Sequence, residues 1–333
     1  MNILIVGLGL IGKERLNGLK NLDSKNEFNI SIIDPNGGKN VDSTPNFGNS
    51  ISLDTLKKLN FICEKNLDNS YDLMIISAPH LESINFLKEY HYLSKKILIE
   101  KAFGLNLKDS LEINSITQNK KIFTGLNYRF FDGVQALKKD LDNKTFGELI
   151  NINLELGLGH QRGAENTWRL QYNQIPKGAL FDPGIHLIDL INFLFEGINL
   201  NSAVSWNGFW NKNYPEDIIF NGTSKVGGNI SCHISNVHWK STFTIKVVGS
   251  EGYGYINGRG RSYGQQKYLR GKKWGWENNI SQSDSEELVT VSDCENSFTK
   301  ELEDIIFDDG LCSADSDDVI SAFKIIEKIE NLF

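Results

Sequence analysis

The sequence predicts an α/β protein, with an N-terminal Rossmann doubly wound parallel sheet and a C-terminal α+β domain built on a large, mainly antiparallel open sheet. Three observations predict it. Over the first 125 residues, short apolar runs alternate with helical patterns, as parallel strands joined by crossover helices require. A glycine-rich turn, Gly7-Leu8-Gly9-Leu10-Ile11-Gly12, sits between the first apolar run and the first helical pattern. From about residue 202 to 292, apolar stretches follow one another with turns such as Gly227-Gly228 between them, the pattern of antiparallel strands.

The elements follow in order. NILIVG (2–7) is a buried strand, and residues 10–20 form a helix. FNISIID (28–34), YDLMIISA (71–78), KILIE (96–100) and KIFTG (121–125) are further strands, with helical patterns at 81–91 and 106–118. A helix near 131–141 and a strand near 148–156 open the second domain, and a polar, irregular stretch covers 157–177. Ile188, Leu190, Ile191, Leu194 and Phe195 then recur at the spacing of a buried helix. Strands at NSAVSWNGFW, DIIFNGTS, GNISCHISNV, STFTIKVVGS, YGYING and ELVTVS follow, and helices at 297–307 and 316–331 close the chain. The expected domains are 1–125, 126–310, and a C-terminal helical segment, 311–333, that packs back near the first domain.

Composition narrows the function. A chain of 333 residues, 40% hydrophobic and 23% charged, is an ordinary globular one with room for two cores. Its net charge of −7 argues against nucleic acid or a membrane surface as partner. Cys63, Cys232, Cys294 and Cys312 lie far apart with no CxxC pair, so neither a zinc site nor a disulfide framework is expected, and no metal is assigned. No apolar run approaches the roughly 18 residues that span a bilayer, and the expected location is cytoplasmic.

The glycine turn gains meaning from its context, because Asp34 ends the next strand at the distance a dinucleotide fold requires. Gly7 permits the tight turn, Gly9 admits the pyrophosphate, and Gly12 allows close helix–strand packing, with Leu10 and Ile11 opening the helix. The helix N-terminus meets the phosphates and Asp34 the ribose hydroxyls. A carboxylate there repels a 2′-phosphate, so NAD is favoured over NADP.

Two stretches carry candidate chemistry. The helix at 188–195 opens on Asp182-Pro183-Gly184 with His186 in its first turn. Asp182 suits an N-cap and Pro183 the first helical position. An Asp and a His four apart also share a helix face, so Asp182 is either a cap or the partner that orients His186. Glu100-Lys101 ends a strand at the carboxyl edge of the parallel sheet, where ligands bind in such folds; a solvated strand end is the plainer reading.

GxGxxG, Glu-Lys at 100–101 and DxGxH at 182–186, in that order, resemble the glucose–fructose oxidoreductase / inositol dehydrogenase / rhizopine-catabolism (Gfo/Idh/MocA) family over nearly the whole chain. GLNYRF (125–130) resembles its domain crossover and VVGSEGYGYING (247–258) a late sheet segment. The resemblance implies that Lys101 is the active-site lysine, that His186 exchanges the hydroxyl proton, and that Asp182 is the carboxylate beside it. It places Ser77, Ala78, Pro79 and His80 in a loop near the nicotinamide, with Glu100 and Lys101 also at the cofactor. Ala102 stands where the family has proline, which would relax the loop carrying Lys101, and Ser83 stands where it often has histidine. The resemblance further implies a homo-oligomer, dimer or tetramer, paired through the C-terminal sheet.

Substrate contacts are sought in three places. In GHQRGAENTWRLQ (159–171), His160, Arg162, Trp168 and Arg169 suit a polyol, and Trp168 offers a flat face to a sugar ring or a piece of core. Asn127, Tyr128 and Arg129 lie at the domain junction, where they either pack or, as proposed for Tyr128, reach the substrate. Asp189, a turn beyond His186, either meets a substrate hydroxyl, supports the histidine, or faces solvent or a capping amide. Residues 259–276, RGRSYGQQKYLRGKKWGW, carry six positive charges and no negative one, and read as a site for an anionic group such as a nucleotide-sugar diphosphate or a sugar carboxylate, as a face toward a partner subunit, or as a long solvated hairpin. His233 and His238, five apart in a strand region, should point to opposite faces and form no metal pair.

The expected activity is an NAD-dependent oxidoreductase acting on a secondary hydroxyl of a sugar, cyclitol or sugar derivative, including an anionic or nucleotide-linked one. The alternatives are an enzyme that retains NAD for transient oxidation, giving glycoside hydrolysis or epimerisation, and a non-catalytic sensor of NAD(H) or sugar.

Overall fold

The computed structural model of the chain describes residues 1–23, 27–35, 60–62, 67, 70–167, 170, 174–210, 213–275, 277, 281 and 285–333. They fall into two compact units, Met1–Asn127 with Asn296–Ile320, and Tyr128–Glu295 with Ser321–Phe333.

The first unit is a parallel sheet with one antiparallel edge. Its strands are β1 (Asn2–Val6), β2 (Asn29–Ile33), β3 (Asn60–Phe61), β4 (Tyr71–Ile76), β5 (Ser94–Ile99), β6 (Lys121–Thr124) and β15 (Ala314–Asp315). They lie in the order β15-β6-β5-β4-β1-β2-β3, with only β15 antiparallel to its neighbour. Ile3, Leu4 and Ile5 are fully buried in succession, as a strand covered on both faces demands. The helices are α1 (Leu10–Leu22), α2 (His80–Tyr90) and α3 (Leu107–Ile116). Chain order reverses between β1 and β4, so the switch point lies at their carboxyl ends, where Gly7 and Ser77 stand.

Helix α6 (Ser297–Phe307) corrects the expected boundary. The sequence placed it in the second domain, yet its Leu302 and Ile305 join the core formed by Ile3, Ile5, Leu16, Leu19 and Ile75 of the first unit. Gly18 lets the two helices approach, since a Cβ there would lie 2.9 Å from Leu302 Cδ1. Helix α7 (Ser316–Glu330) begins in the first unit and ends in the second, rather than packing as one piece.

The second unit is an eight-stranded sheet in the order β14-β13-β12-β11-β7-β10-β9-β8. The strands are β7 (Leu149–Gly159), β8 (Ile198–Trp206), β9 (Asp217–Ser224), β10 (Asn229–Ser235), β11 (Val237–Gly249), β12 (Gly252–Asn257), β13 (Gln266–Lys272) and β14 (Glu287–Ser292). All neighbours are antiparallel except β7 and β10. Alternate residues are buried, among them Ile152, Leu154 and Leu156 on β7 and Ile230, Cys232 and Ile234 on β10. That face carries α4 (Asp132–Asp142) against β12–β14 and α5 (Gly184–Phe195) against β7, β8 and β10. No helix among the described residues is long and apolar enough to cross a membrane.

Two expectations need correction in this sheet. Residues 259–276 hold the turn and second strand of the antiparallel β12–β13 hairpin, with Arg261, Lys267 and Lys272 exposed, but the hairpin is not solvated throughout, because Tyr268 and Gln266 on β13 are fully buried. Tyr268 Oη donates to Asp140 Oδ2 (2.6 Å), Arg270 donates to Asp140 and Glu287, and Lys273 pairs with Glu251. Trp276, at the end of that stretch, and Cys63 lie outside the described residues. His233 and His238 do not point apart, because Asn236 separates two strands and the period of two does not run through it. Their rings are 5.7 Å apart, and each Nδ1 lies 3.6 Å from Glu155 Oε1.

His233 Nε2 is 2.9 Å from Asp217 Oδ2. That bond, against burial, holds His233 above its ordinary value. Burial works against the Asp217 carboxylate, but the hydrogen bonds from His233 and Ser235 hold it below the usual range. The histidine's contribution is therefore complete below its unfolded value, about 6.5, and disappears as pH rises through the folded one. The aspartate's is present above about 3.9 and is lost in acid. Asp217→Asn is expected to lower Tm at pH 6 and to change it much less at pH 9. Melting curves at both values test this, and an equal loss at both would contradict it.

Candidate nucleotide and active site

The glycine turn is held on three sides, twice by backbone and once by the Asp34 carboxylate. Gly7 N donates to Ile33 O (2.8 Å), Ser77 N to Val6 O (2.7 Å), and Leu8 N to Asp34 Oδ2 (2.8 Å). Gly7 has φ +86°, and a Cβ on it would lie 2.9 Å from Ala78 N. A Cβ on Gly12 would strike the Gly7 carbonyl, whereas one on Gly9 would meet nothing within 4 Å. The turn is thus closed where helix and strand meet and open where a diphosphate must approach backbone. Ser77 Oγ is buried there without a hydrogen-bond partner among the described residues. These features fit a dinucleotide. Leu10 and Ile11 open α1. Pro79 precedes α2, whose first residue, His80, is buried, and Ser83 Oγ donates to Ala78 O (2.8 Å).

Glu100 and Lys101 follow β5 at the same edge of the sheet. Glu100 was expected at the cofactor, but its carboxylate accepts from Arg15 Nε (2.7 Å). Arg15 is fully buried, and its Nη1 also donates to Glu301 Oε2 (2.5 Å). Burial opposes the guanidinium charge, and the two carboxylates outweigh it, so its pKa is raised. Gly125 leaves room for this group, since a Cβ there would lie 2.6 Å from Glu100 Oε2. Lys101 is half-buried. The loop beyond it is not relaxed by the loss of proline: Ala102 and Phe103 are buried, and Ser110 Oγ donates to Phe103 O (3.0 Å).

In the second unit His186 stands in the first turn of α5 and is buried. Its ring lies parallel to that of Tyr128, with centroids 4.0 Å apart and planes 7° apart. Tyr128 also stacks on Phe131 at 4.5 Å and meets Phe243 edge-on. Burial pushes its phenol well above the ordinary value, and the Asp182 charge adds to the effect, which places Asp182 within electrostatic reach of the ring beside His186. The capping expectation for Asp182 needs correction. A 3-10 turn, Gly178–Leu180, runs into the helix, Asp182 N donates to Gly178 O (3.0 Å), and Pro183 rather than Asp182 takes the N-cap position. Asp182 is therefore not on the helix, and the four-residue spacing does not relate it to His186.

Asp189 is buried, neither facing solvent nor capping, and accepts two bonds from Arg129, Nη2 to Oδ1 (2.6 Å) and Nε to Oδ2 (2.9 Å). Asn127 Nδ2 donates to Ser297 Oγ (2.9 Å), a packing role. Arg162 is exposed in a turn, and the His160 ring meets Trp210 edge-on at 6.1 Å. Trp168 and Arg169 lie outside the described residues. Sequence reasoning missed the Arg15–Glu100–Glu301 group and the Tyr128–His186 stack, whose members lie too far apart in the chain for any local pattern to join them.

Fold and site define a two-unit protein, one unit a dinucleotide-type α/β sheet and the other an open-sheet α+β domain. A family model, the GFO/IDH/MocA C-terminal domain, matches residues 134–254. Glucose-6-phosphate 3-dehydrogenase of Bacillus subtilis (strain 168) is 25% identical over 264 residues, 74% of this chain and 71% of that protein. An NAD binding oxidoreductase from Klebsiella pneumoniae superposes with a TM-score of 0.75 at 15% identity, covering 99% of this chain and 96% of that one. UDP-N-acetylglucosamine 3-dehydrogenase from Acidithiobacillus ferrooxidans gives 0.73 at 13%, covering 100% and 97%. The match over residues 134–254 agrees with the resemblance to the Gfo/Idh/MocA family that the motifs carry, and the solved structures share the fold.

Removing one member of a buried ion group strands the others. Glu301→Ala is expected to destabilise the first unit by about 3–5 kcal/mol, read as a fall in the urea midpoint. A loss below about 1 kcal/mol would mean that water or another group compensates Arg15.

Proposed function

We propose that the protein is an NAD-dependent dehydrogenase that oxidises a secondary hydroxyl of a sugar or sugar derivative. The observation that carries this reading is the glycine turn, open at Gly9 and backed by Asp34, in a chain related to a sugar-phosphate dehydrogenase. Bound NAD would accept hydride from the carbinol carbon. Gly7, Gly9, Gly12 and the N-terminus of α1 would hold its pyrophosphate. Asp34 would meet the adenosine ribose and disfavour a 2′-phosphate.

In this reading His186 takes the hydroxyl proton. An imidazole suits the task because it changes charge near neutrality. Tyr128 fixes the plane of that ring, and Asp182 would be the carboxylate beside it. Lys101 donates to the carbinol oxygen, and Glu100, tied to Arg15, holds the strand end from which Lys101 extends. The roles of Lys101, Asp182 and His186 rest on the family resemblance, with His186 buried in the first turn of α5 and Lys101 half-buried just after β5.

The purified chain, given NAD and a panel of polyols, sugars and sugar phosphates, is expected to accumulate NADH, read at its nicotinamide absorbance, and to prefer NAD to NADP. His186→Asn should lower kcat by about 10²–10⁴ while NADH binding, read by fluorescence, persists. Tight NAD binding with no NADH from any substrate would overturn the reading.

A further inference from the structure

Of the six cations in residues 259–276, Arg270 and Lys273 are paired with carboxylates, and Arg259 is not. Arg259 follows β12, half-buried, and its Nε is buried without a hydrogen-bond partner. Its guanidinium lies 3.8 Å from the Tyr263 ring centroid and 5.0 Å from that of Tyr128. Among the described residues no carboxylate forms a salt bridge with it; the groups that act on it most are Tyr128, Tyr263, which also hydrogen-bonds it, and Cys294. Burial pushes Tyr128 far up, and burial, with Asp132, pushes the Cys294 thiol to about 12.

A half-buried cation set against aromatic faces, with no anion of its own, is a poor way to stabilise a fold. Partial burial removes hydration, and the rings return only part of that loss. Arg129 shows the alternative within the same unit, its fork filled by Asp189. Arg259 also has a definite address. It lies against the Tyr128 ring, on which His186 also stacks, so one tyrosine is in contact with both the cation and the imidazole. Two polar groups that share one ring can meet two groups of the same sugar-sized ligand.

We infer that Arg259 is a specificity-determining residue that binds a phosphate or carboxylate on the sugar whose hydroxyl His186 deprotonates. A planar guanidinium matches either oxyanion with two parallel bonds. The inference rests on the proposed dehydrogenase activity but commits to an anionic substrate, which that activity alone does not require.

The test compares wild type, Arg259→Gln and Arg259→Lys with glucose 6-phosphate, free glucose and glucuronate, with NADH affinity as the control for fold and cofactor site. Expected is a preference of wild type for one of the two anionic sugars, and a rise of about tenfold or more in its KM in Arg259→Gln, with partial recovery in Arg259→Lys. The KM for the free sugar and the NADH affinity should change little. Phosphate or carboxylate is identified by which of the two sugars loses its advantage. Equal changes for neutral and anionic sugars would show that Arg259 only supports Tyr128, and would overturn the inference while leaving the dehydrogenase reading intact. If no sugar turns over, calorimetric binding of the same three sugars to the NAD-loaded protein decides: no anion-dependent difference between wild type and Arg259→Gln overturns it.

Discussion

A fully buried arginine organises the first unit. Arg15 lies on the helix that follows the glycine turn, Glu100 at the end of β5, and Glu301 on a helix from the far end of the chain. A guanidinium removed from water costs several kcal/mol unless anions surround it. The charge can therefore be tolerated only in an arrangement that brings all three elements together. The same bond that neutralises Arg15 holds the carboxylate next to Lys101, so the requirement of the core is also a positional requirement on the site. The small residues nearby follow: Gly125 and Gly18 stand where a side chain would enter the ion group or the helix contact.

The second unit meets a different constraint. One face of its sheet is apolar and carries two helices, while the other holds a polar row in which Glu155 faces His233 and His238. Gly157 makes this possible, because any Cβ there would run into the His238 ring. On α5 the His186 ring lies flat against Tyr128, which in turn stacks on Phe131. A ring packed flat against another loses tilting freedom, which sets the plane of the imidazole.

Much of this was legible in the residues. The Rossmann strands announce themselves because a strand covered on both faces is a run of Ile, Leu and Val, and GxGxxG gains its meaning from the strand before it and Asp34 after it. Strand β13 was hidden because QKYLRGK contributes little apolar surface beyond Tyr268 and Leu269, and its charges are met by Asp140 and Glu287 from elsewhere. The histidine pair was misread because a parity argument holds within one strand and Asn236 ends one. A helix cap was one of two readings for Asp182 because the 3-10 turn before it leaves no trace in the pattern. The membership of α6 was beyond reach, since Glu301 and Arg15 are 286 residues apart.

That separation bears on the order in which a ribosome delivers the molecule. The N-terminal unit, Met1–Asn127, emerges first, yet the helix that supplies Glu301 and Leu302 comes only after the whole of Tyr128–Glu295. Until then Arg15 lacks one of its two anions, and the apolar side of α1 lacks its cover. The second unit, nearly complete in one continuous stretch, can close before the first. Growth from the N-terminus thus leaves the earlier-made half waiting on the later one, an inversion of the usual sequence in which domains mature as they are made.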